Sequence, residues 1–356
     1  VTSLAELHDV ARQRLAPEHY DYFAGGAGDE VALADNERSF RRLALLPRIL
    51  PGSATRDLAV RLPGAEASMP VFVSPTAFHR LAHPDGELAT ARAVAAAGTV
   101  LIASMAATVA IGDMAAAARE VDPGATLWFQ LYLQTDREVT DLLVRRAADA
   151  GCSALVVTVD SPVFGRHERD RRHGFTDLPD GLFAENMRDL PGGPRNIEMS
   201  PALSWADLDR LRESTSLPVL LKGVLHPEDA HLAVEHGMDG ILVSNHGGRQ
   251  LDAAPAPVDV LPRIVEVVGG RVPVLLDGGV RRGTDVAIAL ALGATAVGIG
   301  RPVLWGLAAA GESGVRQVLE LLREEFDDAL ALCGGRRLAD LTRDLVTVRG
   351  PEGGKW

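Results

Sequence analysis

The sequence predicts an α/β fold: a (β/α)8 TIM barrel with an N-terminal helical segment and a lid loop after strand 4. Three observations carry that expectation. Eight short apolar, β-branched runs follow one another down the chain. They do not alternate apolar with polar, so both faces are buried, as in a parallel sheet. Helical patterns fall between them, several stopped by glycine. A doubly wound open sheet fits the alternation too, but eight units is the number that closes a barrel.

The strand runs are Pro70–Ser74, Thr99–Ser104, Thr126–Tyr132, Ala154–Asp160, Pro218–Gly223, Gly240–Asn245, Val272–Gly279 and Ala296–Gly300. Before them, "VTSLAELHDVARQRL" reads as an amphipathic helix and lacks the apolar core of a signal peptide. "DREVTDLLVRRAADAG" has apolar residues at helical spacing and stops at Gly151. "SWADLDRLRES" opens on Ser204 with Asp207 three residues on, a capping-box pattern. "PEDAHLAVEHG" starts at Pro227 and ends at Gly237, and "TDVAIALALG" ends at Gly293. One interval is too long for a connection. Residues 165–203, after strand 4, are rich in Gly, Pro and charge with weak periodicity, and read as a lid over the C-terminal mouth.

Composition sets the outer limits. The chain has 356 residues, 47% hydrophobic and 24% charged, the profile of a globular protein, and residues 1–356 are expected to form a single domain. A formal charge of -12 argues against nucleic acid or anionic membrane as partner. Cys152 and Cys333 are too few and too far apart for a disulfide framework or metal site, which suits a reducing cytoplasm. Ala93 to Gly112 carries no charge, but Gly98, Thr99, Ser104 and Thr108 break it. It reads as a helix end, a turn and a strand, not a membrane span.

In this fold the active site lies at the C-terminal strand ends. Those ends offer Pro75, Thr76 and Ala77 on strand 1, Ser104 on strand 2, and Gln130 and Tyr132 on strand 3. Thr158 and Asp160 follow on strand 4, Lys222 on strand 5, and Ser244, His246 and Arg249 on strand 6. Strand 7 ends in Asp277, Gly279 and Arg281, and strand 8 in Gly300 and Arg301. Glycine beside arginine at two adjacent strand ends fits a phosphate, since glycine lets backbone N–H groups approach and arginine forks onto oxygens. The alternative is a pair of tight turns with solvated arginines. A lysine ending a buried strand needs an anion or polarised oxygen. His246 titrates near neutrality and can take and return a proton, with Asp160 to balance its charge. No Walker loop is present, and no Gly-x-Gly-x-x-Gly follows a strand with a ribose-binding acid.

With these residues in place, the chain resembles the FMN-dependent 2-hydroxy-acid oxidase and dehydrogenase family, which includes glycolate, lactate and mandelate-type enzymes. The likeness runs over about residues 4 to 340 and includes "YDYFAGGAGDEVALADN", "PTAFHRLAHPDGELATARA", "FQLY", "TVDSP", "LKGV", "SNHGGRQLD" and "DGGVRRGTD" with "IGRP". The resemblance implies FMN as cofactor and a 2-hydroxy acid as substrate, with oxygen or another acceptor and a homotetramer. His246 would be the base as hydride passes to flavin N5, with Asp160 stabilising the charged imidazole. Arg249 would bind the substrate carboxylate, and Tyr22 and Tyr132 its oxygens. Lys222 would sit by flavin N1 and O2. Ala77, Ser104, Gln130, Thr158 and Ser244 would hold the ring and ribityl chain. Asp277, Gly279, Arg281, Gly300 and Arg301 would take the ribityl and phosphate.

Two positions depart from the family pattern. Where the family has Gly-x-Arg, this chain has Gly165-Arg166-His167. Either His167 lines the pocket, Arg166 substitutes for the arginine, or the site has lost a charge. Where family members often carry an aromatic residue after strand 2, this chain has Ala106, which leaves room for a bulky or aromatic substituent, with Phe164 as a wall. Two other readings stay open: the same flavin site acting on an unusual hydroxy acid, amine or modified metabolite, and a phosphate-ligand barrel without redox chemistry.

Overall fold

The structure, a computed structural model, describes residues 2–50, 52 and 55–349. Each predicted run forms one strand of a closed parallel barrel. The strands are β1 (Val71–Val73), β2 (Val100–Ser104), β3 (Thr126–Leu131), β4 (Ala154–Thr158), β5 (Val219–Val224), β6 (Gly240–Val243), β7 (Val274–Asp277) and β8 (Ala296–Ile299). Each pairs with its sequence neighbours, and β8 closes on β1 with Val297 opposite Val71. Most strands end short of the predicted limit, because the polar residues at their C-terminal ends leave the ladder to face the mouth.

Inside the ring, Phe72, Ile102, Trp128, Val156, Leu220, Leu242, Leu275 and Ala296 form one apolar plug, a residue from every strand. Large and small side chains interdigitate there. A Cβ at Gly298 would come within 2.5 Å of the Phe72 ring. The alternate residues, such as Val73, Phe129, Val157 and Val243, pack outward against the helices. That is why no strand shows polar alternation. The N-terminal end of the barrel is covered by a hairpin of Val60–Leu62 and Ala65–Ala67, whose Leu62 and Ala67 join the interior plug.

The Ser204 cap forms as the spacing predicts, with Ser204 N and Oγ both donating to Asp207 Oδ2 at 2.9 and 2.7 Å. The uncharged run splits between the helix Gly86–Ala96 and β2. Among the described residues no helix is long and apolar enough to cross a membrane. The N-terminal region holds more than one helix: Leu4–Arg14, Pro17–Ala24 and Val31–Arg41. Within the lid a six-residue helix, Glu168–His173, forms where the sequence has no long-range periodicity. Its stability is tertiary. Arg169 pairs with Asp21 and Glu30 at 3.2 and 2.5 Å, and His173 Nε2 meets Asp21 at 2.8 Å. Further along, Arg195 pairs with Asp136 at 2.6 Å and Asn186 Oδ1 accepts from Ile111 N at 2.9 Å, so the lid is pinned over β2 and β3.

The helix Val31–Arg41 is tied to the end of β6 by a buried amide pair. Asn36 Nδ2 donates to Asn245 Oδ1 at 2.9 Å, and Asn245 Nδ2 returns a bond to Asn36 Oδ1 at 2.7 Å. Asn36→Ala is expected to cost about 1–3 kcal/mol, because it strands a buried amide; a denaturant titration beside the parent checks it.

Candidate active site

A cavity of about 1070 Å³ opens at the C-terminal mouth of the barrel, between the strand ends, the N-terminal segment and the lid. The segment after β6 organises it. His246, Gly247 and Gly248 have φ of +58°, +63° and +75°, three consecutive left-handed residues. This tight turn throws the His246 ring back over the mouth. Only glycine serves next, since a Cβ at Gly247 would meet Arg301 Nη1 at 2.7 Å and one at Gly248 would meet Leu33 N at 2.5 Å. Gln250 then anchors the turn to β4, donating to Asp160 O at 3.0 Å and accepting from Gly165 N at 2.9 Å.

His246 Nδ1 lies 2.8 Å from Asp160 Oδ1, which also accepts from Ser161 Oγ at 2.9 Å. The pair spans β5. It can do so because Gly223, with φ of +103°, has no side chain; a Cβ there would sit 2.6 Å from Asp160 Cβ. Burial pulls the His246 pKa below its ordinary value, against the pull of Asp160, which leaves the imidazole unprotonated and free to accept a proton at neutral pH. Burial pushes Asp160 up, but the His246 charge and hydrogen bond, with help from Lys222 and Ser161, hold its carboxyl down at about 2. Its second oxygen, Oδ2, is buried with no hydrogen-bond partner.

Arg249 reaches the cavity from the same turn. Its Nη1 donates to Tyr22 O and Gly25 O at 2.7 and 3.1 Å, and its guanidinium lies 5.1 Å from the Tyr22 ring centre. Tyr22 also stacks on Phe78 at 5.6 Å and packs against the lid's Phe175 at 5.1 Å. Tyr132 stands across from it, and burial first, then Asp160, pushes its hydroxyl pKa up. Both tyrosines therefore act as neutral hydrogen-bonding groups. Ala106 is on the wall, and Phe164 sits at the rim with most of its ring exposed.

The opposite half is cationic. Lys222 is buried, with Ser244 Oγ 3.3 Å from its Nζ. Arg301 lies in the cavity floor, bonded to the carbonyls of Phe23, Gly25 and Gly247 at 2.7 to 2.9 Å. Burial, followed by the neighbouring Arg249 and Arg281, pushes its pKa down to about 9, so it remains charged at neutral pH in a place that favours an anion. Arg281 also lines the cavity and is partly spent on Glu37 at 3.0 Å. Asp277 takes one bond from Ser74 Oγ at 3.0 Å, while its Oδ1 is buried and unpartnered. A hydroxylated ligand would satisfy it.

Most sequence-predicted residues meet in this one cavity: Pro75, Thr76, Ala77, Ser104, Gln130, Thr158, Gly279 and Gly300 line it, as do Arg166 and His167. Gln130 is locked between Ser104 Oγ at 3.3 Å and Thr158 Oγ1 at 3.1 Å. Two predicted residues stand one layer behind. Asp160 backs His246, and Ser244 backs both Lys222 and His246, accepting from His246 N at 3.0 Å. Sequence reasoning passed over Asp170, Phe78 and Phe175. The first two had no signal beyond residue type, and Phe175 lay in a segment without periodicity.

An unpartnered acid, a buried ammonium, three neighbouring arginines in the lining and a volume of about 1070 Å³, at the top of the usual ligand range of roughly 300–1,000 Å³, fit a flavin mononucleotide with a small acid beside it. The comparisons agree. Residues 11–348 match the FMN-dependent dehydrogenase family model. Glycolate oxidase 5 of Oryza sativa subsp. japonica is 46% identical over 97% of this chain and 95% of its own length. The L-lactate oxidase of a Nostoc strain is 45% identical over 95% and 96%. A solved structure of mandelate oxidase with benzoyl-formic acid superposes with a TM-score of 0.90 at 43% identity, covering 98% of each chain.

Arg281→Ala is expected to weaken retention of FMN by about 10- to 100-fold, the worth of a charge-assisted bond, while riboflavin binding holds. Equilibrium titration of the apoprotein with each flavin, followed by fluorescence quenching, reads this out.

Proposed function

The chain belongs to the FMN-dependent dehydrogenase family and is an FMN-dependent 2-hydroxy-acid oxidase, and from that premise we propose that its substrate is a bulky or aromatic, mandelate-like acid oxidised to the 2-oxo acid with His246 as base. The observation that carries the substrate reading is the small side chain of Ala106 in a cavity lining that also carries the mutually packed rings of Tyr22, Phe78 and Phe175. The fold's likeness to mandelate oxidase supports it.

In this proposal His246 removes the hydroxyl proton of the substrate and Asp160 holds the resulting imidazolium. Arg249 grips the carboxylate with the donors that Tyr22 O and Gly25 O leave free. Tyr22 and Tyr132, neutral, hydrogen-bond to substrate oxygens, and Arg166 and His167 border the carboxylate end. FMN, when bound, would supply the two-electron acceptor for the substrate's hydride. Pro75, Thr76, Ala77, Ser104, Gln130 and Thr158 hold its ring, and Lys222, itself held by Ser244, compensates negative charge there. Asp277 takes a ribityl hydroxyl, and Gly279, Arg281, Gly300 and Arg301 take the phosphate. The lid, residues 165–203, keeps water from the reacting atoms. Oxygen serves as final acceptor, and residues 1–356 act as one domain within a homotetramer. The cytoplasm is the proposed compartment, although one relative, 44% identical, is a peroxisomal (S)-2-hydroxyacid oxidase of Arabidopsis thaliana.

The test is anaerobic flavin bleaching across a panel from lactate to mandelate. Mandelate is expected to give the higher kcat/KM; a preference for glycolate or lactate sinks the substrate reading. His246→Ala should stay yellow and lose about 10²–10⁴ in the rate of bleaching. Since the base must be neutral and its pKa is lowered, the parent rate should climb with pH from the acid side and level off by neutrality. Ala106→Trp should depress kcat/KM for mandelate by about tenfold or more, the scale of a lost pocket fit, and spare glycolate.

A further inference from the structure

His79 is buried one layer behind Thr76, which lines the cavity. Its Nε2 lies 2.7 Å from Thr76 Oγ1, and its Nδ1 lies 2.9 Å from Thr90 Oγ1 on the helix Gly86–Ala96. Burial pulls the His79 pKa down, against the pull of Glu87, which leaves the ring uncharged at neutral pH. An uncharged imidazole has one donor and one acceptor nitrogen. It therefore accepts from one threonine hydroxyl and donates to the other, and it cannot turn without losing both bonds.

The backbone beside it is held as firmly. Phe78 has φ of +64°, a left-handed conformation that is costly for so bulky a side chain. Such strain persists where the neighbours over-determine it. Here the buried Glu87 carboxylate supplies the constraint. Its Oε1 accepts from His79 N at 3.0 Å and from Thr108 N at 2.8 Å. Its Oε2 accepts from Thr108 Oγ1 at 2.6 Å, and that hydroxyl accepts in turn from Arg80 N at 3.1 Å. One acid thus joins the loops after β1 and β2, which carry Thr76 and Ala106 into the cavity lining. On its other side, Thr76 packs its Cγ2 close to Gly300, where a Cβ would come within 3.3 Å.

Resting on the flavin placement proposed above, we propose that His79 is a positioning residue for the cofactor, fixing the Thr76 hydroxyl and residues 75–78 against the flavin ring. Thr76 Oγ1 can donate once and accept twice, and the imidazole takes only one of those capacities. The remainder is available to a ligand in the cavity. With its hydroxyl held by His79 and its methyl beside Gly300, Thr76 meets the flavin as a preset group, and little ordering is left to be done on binding. The contact belongs to the ring and not to the phosphate, so FMN and riboflavin feel it alike.

The experiment is a double-mutant cycle, read by titrating the full-length apoprotein with FMN and with riboflavin and following fluorescence quenching. Thr76→Val, which keeps the shape, is expected to raise Kd for both flavins about 3- to 10-fold, the worth of one hydrogen bond. His79→Leu should raise both by a similar factor. Thr76→Val in the His79→Leu background should add nothing further, because the hydroxyl is already released. His79→Gln, whose amide keeps a donor and an acceptor, should recover most of the loss. In the loaded enzyme, the visible circular dichroism of the flavin should change alike in Thr76→Val and His79→Leu and return in His79→Gln. Should His79→Leu fail to fold, Thr90→Val, which frees the imidazole on its far side, takes its place in the cycle with the same non-additivity expected. Multiplying effects of the two substitutions, parent-like Kd values in His79→Leu, or a loss confined to FMN overturn the proposal. Failure of the flavin placement looks different: Thr76→Val by itself then leaves both Kd values at the parent level, and the inference falls with it.

Discussion

The 2.8 Å contact between His246 Nδ1 and Asp160 Oδ1 joins two strands that are not neighbours. It crosses β5, and three features exist to let it form. Gly223 clears the path, the left-handed turn at His246 aims the ring, and Gln250 ties the turn to the backbone of Asp160. The bond also orders the proton chemistry. With Nδ1 committed to the carboxylate, Nε2 is the nitrogen left to face the cavity. Lys222 and Ser244 lie beneath, so the same bond keeps a cation and a base side by side without letting them neutralise each other.

Charge is the second constraint. The protein carries a formal -12, yet Arg249, Arg281, Arg301 and Lys222 converge on one cavity. Buried like charges repel, and the depressed pKa of Arg301 records the cost. The fold tolerates it by supplying carbonyls from Phe23, Gly25 and Gly247 and the carboxylate of Glu37. These contacts hold the arginines in place while leaving net positive potential, which an anionic ligand relieves.

The N-terminal segment and the lid together make a barrel into a site. Tyr22, Glu30 and Asn36 all precede β1, yet they contact Arg249, the lid helix and Asn245. The lid in turn supplies Phe175, His167 and Asp170 to the cavity wall. The N-terminal helices bury Leu4, Leu7, Phe23 and Phe40 in the core and the lid buries Met187 and Leu190, while Arg169 and His173 tie the two segments together through Asp21 and Glu30.

Strand number, strand order and the rim of polar residues were legible from sequence by themselves. A doubly buried parallel strand needs an unbroken apolar run, and any polar residue at its end stands out against it, as at Lys222, Asp277 and His246. The glycines of "SNHGGRQLD" were visible too, though not what they clear. The short helix Glu168–His173, the hairpin beneath the barrel and the partners of His167 were not legible, because each depends on residues distant in the chain: Asp21 and Glu30, the interior plug, Arg249. Local pattern reports what a segment does with its own neighbours. Whether Ser244 lines the cavity or stands behind it, and that His167 comes to lie beside Arg249, is decided only when the ring of strands closes and brings β4, β6 and the N-terminal helices within hydrogen-bond reach.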